Sequence, residues 1–323
     1  MKINMAHGGG GSVMGELIDG LFKRHLGNEY LAQGGDAAVL PMAGPMAFTT
    51  DSYVVQPLFF PGGDIGRLAV CGTVNDLLTA GATPQFLSAG FILEEGLEMD
   101  TLETVVASMA ATCREAGVQV VTGDTKVVEG HGGLLINTAG VGAVRPGFAP
   151  LPPVPGDSIL LSGTLGEHHA AILSRRLHVE NAIESDCAPL TDMVGRLLSG
   201  GIRVRAMRDV TRGGLGTVLW ELARQHRCGM EVVEAQLPVT AAVRGFCAVL
   251  GLEPLYMGNE GKMVFVVDGR QEQEALALLQ NSAYGANAAV IGRVTEGNDV
   301  TLRTGLGGRV IRPLAGEGLP RIC

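Results

Sequence analysis

Positive charge is scarce in this 323-residue chain, where 24 lysines and arginines stand against 33 aspartates and glutamates for a formal net charge of −9. An exterior of that sign repels nucleic acid and anionic membrane surfaces, so neither is expected as a partner. No stretch stays apolar long enough to span a bilayer. The opening Met1-Lys2-Ile3-Asn4-Met5-Ala6-His7 runs into glycines without the apolar centre of a signal sequence, so the chain is expected in the cytoplasm. Cysteine is sparse as well: there are six and no Cys-x-x-Cys pair. Cys71, Cys113, Cys187, Cys228 and Cys247 lie far apart, mostly among apolar neighbours, and read as buried reduced thiols rather than disulfides or zinc ligands. Neither Gly-x-x-x-x-Gly-Lys-Ser/Thr nor a Gly-x-Gly-x-x-Gly leading into a helix occurs, so P-loop and Rossmann nucleotide sites lack their fingerprints.

What is present is apolar material, 46% of residues against 18% charged. That is enough for two cores, and the length suggests two domains. The clearest boundary is the proline-dense Arg145–Gly156, which separates residues 1–150 from 151–303. In the first part Met14, Leu17, Ile18, Leu21 and Phe22 recur at helical spacing after a Ser12 cap. Further helices are expected over Ile65–Leu78 and Leu102–Ala116. Ala37–Leu40, Met46–Val55, Phe86–Leu93, Val118–Val121 and Leu134–Val144 read as strands. In the second part strands are expected near Ser158–Leu161, Glu231–Val233, Met263–Val267 and Ala289–Val294, with a helix over Gly214–Gln225. The pattern predicts an α+β fold of mixed layers in two domains. Residues 304–323, rich in glycine and proline, read as a flexible tail that ends in Cys323. A linker of roughly 20 residues has an r.m.s. reach of about 22–27 Å, so its thiol can travel between sites.

Acidic residues recur beside small or strand-forming ones at Asp36, Asp51, Asp76 and Asp209, with Asp124 in Gly123-Asp124-Thr125-Lys126 as a fifth. Any one of them is more simply a turn or helix cap. As a set they suit Mg²⁺ carrying ATP, because a hard cation takes carboxylate and phosphate oxygens together. Lys126 is placed to neutralise developing phosphate charge, or is an ordinary strand-edge lysine. The glycines Gly8, Gly9, Gly10 and Gly11 supply unobstructed backbone amides before the first helix, where a triphosphate can be wrapped. His168-His169 has no partner at metal spacing and reads as a pair on a helix surface.

Together the motifs resemble the HypE family of hydrogenase maturation proteins, within the superfamily of aminoimidazole ribonucleotide synthetase and selenophosphate synthetase. They are His7-Gly8-Gly9-Gly10-Gly11, Thr49-Thr50-Asp51-Ser52, Phe60-Pro61-Gly62-Gly63-Asp64-Ile65-Gly66, Gly72-Thr73-Val74-Asn75-Asp76-Leu77, Gly123-Asp124-Thr125-Lys126, Asp209-Val210-Thr211-Arg212-Gly213-Gly214-Leu215, Gly258-Asn259-Glu260-Gly261 and Pro320-Arg321-Ile322-Cys323. The acidic and glycine motifs mark the superfamily, and the terminal Pro-Arg-Ile-Cys marks the branch.

The resemblance implies a carbamoyl dehydratase. A carbamoyltransferase, HypF, would load a carboxamide on Cys323, and ATP would drive its dehydration to a thiocyanate. A HypC–HypD scaffold would then receive the cyanide for the iron of [NiFe] hydrogenase. Asp36, Asp51, Asp76 and Asp209 would hold metal and nucleotide, with Asn75, Asp124 and Thr125 also at the nucleotide and the glycine run over its phosphates. Lys126 and Glu260 would flank the thiocarboxamide, as charge stabiliser and proton acceptor. Glu260 is otherwise a turn carboxylate. Superfamily relatives often carry two tandem acids where this chain has Asp36-Ala37, which leaves the metal count open. The family pairs its first domain with a second copy to form a shared barrel in a homodimer. Two other readings stand beside this one: a kinase or synthetase acting on a free small molecule, and a thiol-tailed carrier or metal chaperone that binds nucleotide as a signal.

Overall fold

The computed structural model describes residues 1–8, 11–33 and 37–314. Two compact units emerge, one of Met1–Phe59 with Gly63–Arg145 and a second that runs on from Pro146 and includes Phe60–Gly62. Among the described residues no helix is long and apolar enough to cross a membrane.

The first unit is built on strands β1 (Met46–Tyr53), β2 (Ala82–Glu94), β3 (Gln119–Val128) and β4 (Leu134–Val144), in spatial order β1-β4-β2-β3. Only β2 and β3 run parallel. Their connection is the long helix α2 (Met99–Ala116), as a parallel pair requires. Helix α1 (Ile65–Thr79) lies against the sheet and α2 and is buried nearly all round. It starts at Asp64, whose carboxylate accepts the Gly66 and Arg67 amides at 2.7 and 3.1 Å, an N-cap that satisfies two donors otherwise left open. Ile65, Leu68, Val74, Leu102, Val105 and Met109 are all within 1% of full burial. Each such side chain contributes about 1.5–3 kcal/mol. The N-terminal segment is helical over Gly11–Leu17, Ile18–Phe22 and Lys23–Leu26, the middle piece being a π-turn. Ser12 therefore lies inside the helix and is not its cap.

The second unit carries β5 (Ser158–Leu161), β6 (Val204–Asp209), β7 (Gly229–Val233), β8 (Met263–Val267), β9 (Ala289–Thr295), β10 (Val300–Thr304) and β11 (Gly307–Val310), in spatial order β11-β10-β7-β9-β5-β8-β6. Strands β5 and β8 are buried at every position, which is why residues 159–161 and Met263–Val267 read as unbroken apolar runs. One set of buried side chains, Ile159, Leu161, Val264 and Val266, packs with Leu215, Leu219 and Leu222 of helix α5 (Gly214–His226). Helices α3 (Glu167–Arg176), α4 (Thr191–Ser199), α6 (Ala241–Leu250) and α7 (Glu272–Gln280) complete the unit, and α3 and α6 share a core with Met257.

Three expectations are corrected. Ala37–Leu40 forms no strand, because none of the described residues pairs with it. Strand β3 does not stop at Val121: it continues through Gly123-Asp124-Thr125-Lys126, since β2 supplies a full ladder as far as Glu94↔Val128. The segment assigned to the tail from residue 304 is folded at its start, with β11 pairing β10 and Ile311 fully buried, its amide donating to the Val300 carbonyl at 2.7 Å.

Candidate functional site

In the first unit the sheet register decides which candidate side chains share a face. Tyr53↔Ile136, Ile136↔Phe91 and Phe91↔Thr125 form one row, and Ser52↔Asn137, Asn137↔Gly90 and Gly90↔Asp124 form the next. Successive rows alternate between faces. Tyr53 and Thr125 are buried, whereas Ser52, Asn137 and Asp124 are exposed. Thr49, Asp51 and Tyr53 share the α1 side of β1. Thr49 Oγ1 donates to Asp76 Oδ2 at 2.9 Å, and Tyr53 and Thr73 hydroxyls meet at 3.1 Å. Asp51 thus sits between two residues bonded to α1, and Asp51 and Asp76 are brought to one side. A buried relay continues from Thr73 Oγ1 to Thr138 Oγ1 at 2.5 Å and from there to the Ala69 carbonyl at 3.1 Å. It fastens α1 to the sheet, and no sequence signal marked Thr73 or Thr138 as a pair.

Asn75 is buried in α1 and Thr125 on the same sheet face as Asp51. Asp124 and Lys126 lie on the opposite, open face, where their side chains pair at 3.3 Å and remain about two-thirds exposed. Gly123 is required here, since a Cβ would stand 2.4 Å from the Ala89 carbonyl oxygen. Gly8 lies hard against Val127 of the same strand, and Gly11 opens the first helix. Gly9, Gly10, Asp36 and Cys323 lie outside the described residues. A cleft of about 290 Å³ opens between the N-terminal helices and β3, lined by Met14, Ile18, Phe22, Phe91, Asp124 and Thr125 among others. Apolar walls with a few convergent polar groups are the usual make-up of a small-molecule site. Among the described residues no three acidic, histidine or cysteine side chains converge as a metal cage.

In the second unit Asp209 ends β6 and Glu260 lies in the turn before β8, so both fall at one end of the sheet. The Asn259 amide donates to the Val210 carbonyl at 3.1 Å, and its side chain bonds Val210, Met257 and the Gly166 amide. His168 and His169 are buried, not on a helix surface: the first turn of α3 is turned inward, with His168 Nδ1 2.7 Å from Ser185 Oγ and its ring edge-on to Phe60. The carboxyl of the adjacent Glu167 is raised by burial.

Burial pushes both imidazoles down to about 4. A base with a folded pKa below its ordinary 6.5 contributes stability that is complete above 6.5 and is lost as pH falls toward 4. Each is worth on the order of a few kcal/mol. The raised Glu167 carboxyl acts in the opposite sense, so the comparison is made between variants. His169→Asn is expected to flatten the fall of melting temperature from pH 6.5 to about 4 relative to the parent chain. Parallel curves in thermal denaturation would show that the ring is not held neutral by its surroundings.

Comparison with known proteins places residues 34–144 in the AIR synthase related protein N-terminal domain family and residues 154–305 in the corresponding C-terminal domain family. The chain is 49% identical to the carbamoyl dehydratase HypE of Azotobacter vinelandii, over 100% of this chain and 97% of that protein. It is 48% identical to that of Escherichia coli K12, over 100% and 99%. Its structure is similar to the crystal structure of hydrogenase maturation protein HypE in complex with ATP, with TM-score 0.95, 46% identity and 99% of each chain covered. It is also similar to a chain of a HypE–HypF complex, with TM-score 0.81 and 42% identity over 92% of this chain and 99% of that one.

Proposed function

This chain belongs to the HypE family of carbamoyl dehydratases of hydrogenase maturation, and from that premise we propose that it dehydrates an S-carboxamide carried on its own Cys323 to a thiocyanate, at the expense of ATP. The observation that carries the reading is the full-length likeness to a HypE crystallised with ATP, and the cleft beside Asp124 and Thr125 offers room for part of a nucleotide. An amide oxygen is a poor leaving group. Transfer of the γ-phosphoryl group to it, with loss of one N–H proton, gives an S-linked imidate phosphate and ADP. Loss of inorganic phosphate and of the remaining N–H proton then forms the C≡N bond.

A divalent cation fits the oxygen donors that Asp51 and Asp76 present on one side of the sheet, and when bound it would neutralise phosphate oxygens. Gly9, Gly10 and Gly11 supply amides to the phosphates, and Asn75, Asp124 and Thr125 hold the nucleotide. Lys126 lies on the opposite face from Asp51 and Asp76, but on the edge strand β3, so its long side chain serves charge at the transferred group by leaving Asp124 and reaching round that edge. Glu260 accepts the second proton. HypF, which forms a complex with a relative, is the donor of the carboxamide, and a HypC–HypD scaffold receives the cyanide made from it. The open face of the first unit's sheet exposes Met46, Phe48, Ile92 and Val128, an apolar surface suited to pairing with a second copy as a homodimer.

The test is intact mass. With the carboxamide already on Cys323, addition of Mg·ATP is expected to reduce the protein mass by one water as ADP and phosphate appear. ATP hydrolysis without a mass change would overturn the dehydratase chemistry, and phosphorylation of a free small molecule in its place would favour a kinase.

A further inference from the structure

The turn that carries Glu260 is gripped by a buried ion pair from elsewhere in the second unit. Asp186 Oδ1 accepts the backbone amide of Glu260 at 3.2 Å, and Oδ2 accepts that of Gly261 at 3.3 Å. The same Oδ2 is 3.1 Å from Lys262 Nζ, and the two side chains are only 3% and 8% exposed. One carboxylate thus binds three consecutive residues, 260, 261 and 262. The approach is so close that a Cβ on Gly261 would stand 1.9 Å from the Asp186 carbonyl oxygen. Asp186 is itself held: the Ser185 amide donates to Pro61 at 2.7 Å, and Ser185 Oγ both meets His168 Nδ1 at 2.7 Å and accepts the Cys187 amide at 3.1 Å.

A charged pair is a costly way to fix a turn. Taking two charges out of water is unfavourable, and apolar residues of similar volume usually stabilise a fold at least as well. What the pair supplies is direction: a carboxylate that accepts two adjacent amides leaves the peptide planes on either side of Glu260 a single orientation. Lys262 cancels its charge, so the grip adds no net negative potential beside a phosphate. We infer that Asp186, neutralised by Lys262, is a positioning residue that aims the Glu260 carboxylate for proton removal from the carboxamide nitrogen. This rests on the reading of Glu260 as proton acceptor.

The experiment is a double-mutant cycle on carboxamide-loaded protein, reading single-turnover water loss by mass and ATP affinity by equilibrium binding. Asp186→Asn strands a buried ammonium, so the charge-neutral D186N/K262M is read beside it. Both are expected to slow water loss roughly tenfold with ATP affinity unchanged, since a slight misplacement of a reacting group costs rate and not nucleotide contacts. E260Q is expected to slow it at least as much, and adding D186N/K262M to E260Q is expected to cost nothing further. Wild-type water loss in D186N/K262M with a slow E260Q would overturn the inference alone. So would an equal additional slowing in the E260Q background, because a merely structural role acts whether or not residue 260 is a base. Wild-type water loss in E260Q would instead remove the reading of Glu260 on which the inference stands.

Discussion

Cys323→Ala is expected to abolish carboxamide loading completely while fold and ATP binding persist. The structure sharpens this, because the remaining thiols are poor substitutes. Cys71, Cys113, Cys187, Cys228 and Cys247 are all reduced and all buried. Burial pushes Cys113 up to about 12 and raises Cys228 and Cys247 above their ordinary value. The thiolate is the nucleophile, so a thiol at 12 is ionised on the order of one part in 10⁵ at neutral pH, and it is also shielded from an incoming enzyme. Loading should therefore vanish and not redistribute. Intact mass after incubation with HypF and its substrates reads the result directly, and ATP binding by the same protein controls for folding. A retained adduct on any of the other five would show that Cys323 is not the carrier.

Asp76→Asn is expected to reduce ATP-dependent water loss by on the order of 10²-fold or more, the scale on which a pre-placed electrostatic group acts on a transferring phosphoryl. Loading of the carboxamide should be untouched, because it needs only the thiol. The substitution is nearly isosteric, and the Thr49 hydroxyl that donates to Asp76 Oδ2 can donate to an asparagine oxygen instead. Stability should therefore change by no more than about 1 kcal/mol. A loaded D76N protein that binds Mg·ATP weakly, melts as the parent does and loses no water fits this account. Unchanged turnover would take Asp76 out of the site and leave it as the partner of Thr49.

Regular elements were legible where local pattern and tertiary environment agreed. Leu134–Val144, Ser158–Leu161 and Met263–Val267 appear with the bounds their apolar runs suggest, because each is buried on at least one face along its length. Strand β3 was read too short because Gly123 and Asp124 are poor strand formers by themselves. Pairing to β2 overrides that preference, and the Ala89 carbonyl makes Gly123 necessary. Strand β11 was missed for the same reason: Gly307-Gly308 carries no strand signal, and every residue of that edge strand is exposed. His168-His169 misled in the other direction. Two polar residues in sequence suggest water, but the first turn of α3 faces Phe60 and Ser185 instead.

By itself the sequence determined the family, the two-domain α+β organisation and the set of candidate carboxylates, since motif identity and hydrophobic period are local properties of the chain. Only the tertiary structure decided which candidates share a side. Asp51 and Asp76 come to one side of the sheet because β1 and α1 are bonded through Thr49 and Tyr53, while Asp124 and Lys126 turn to the opposite face. Asp186, in a stretch with no periodicity and 74 residues before Glu260, became visible only through its contacts with the turn. A strand alternates its side chains between two faces, and a buried carboxylate binds amides from anywhere in the chain. Side and partner are therefore fixed by register and packing, which no run of consecutive residues encodes.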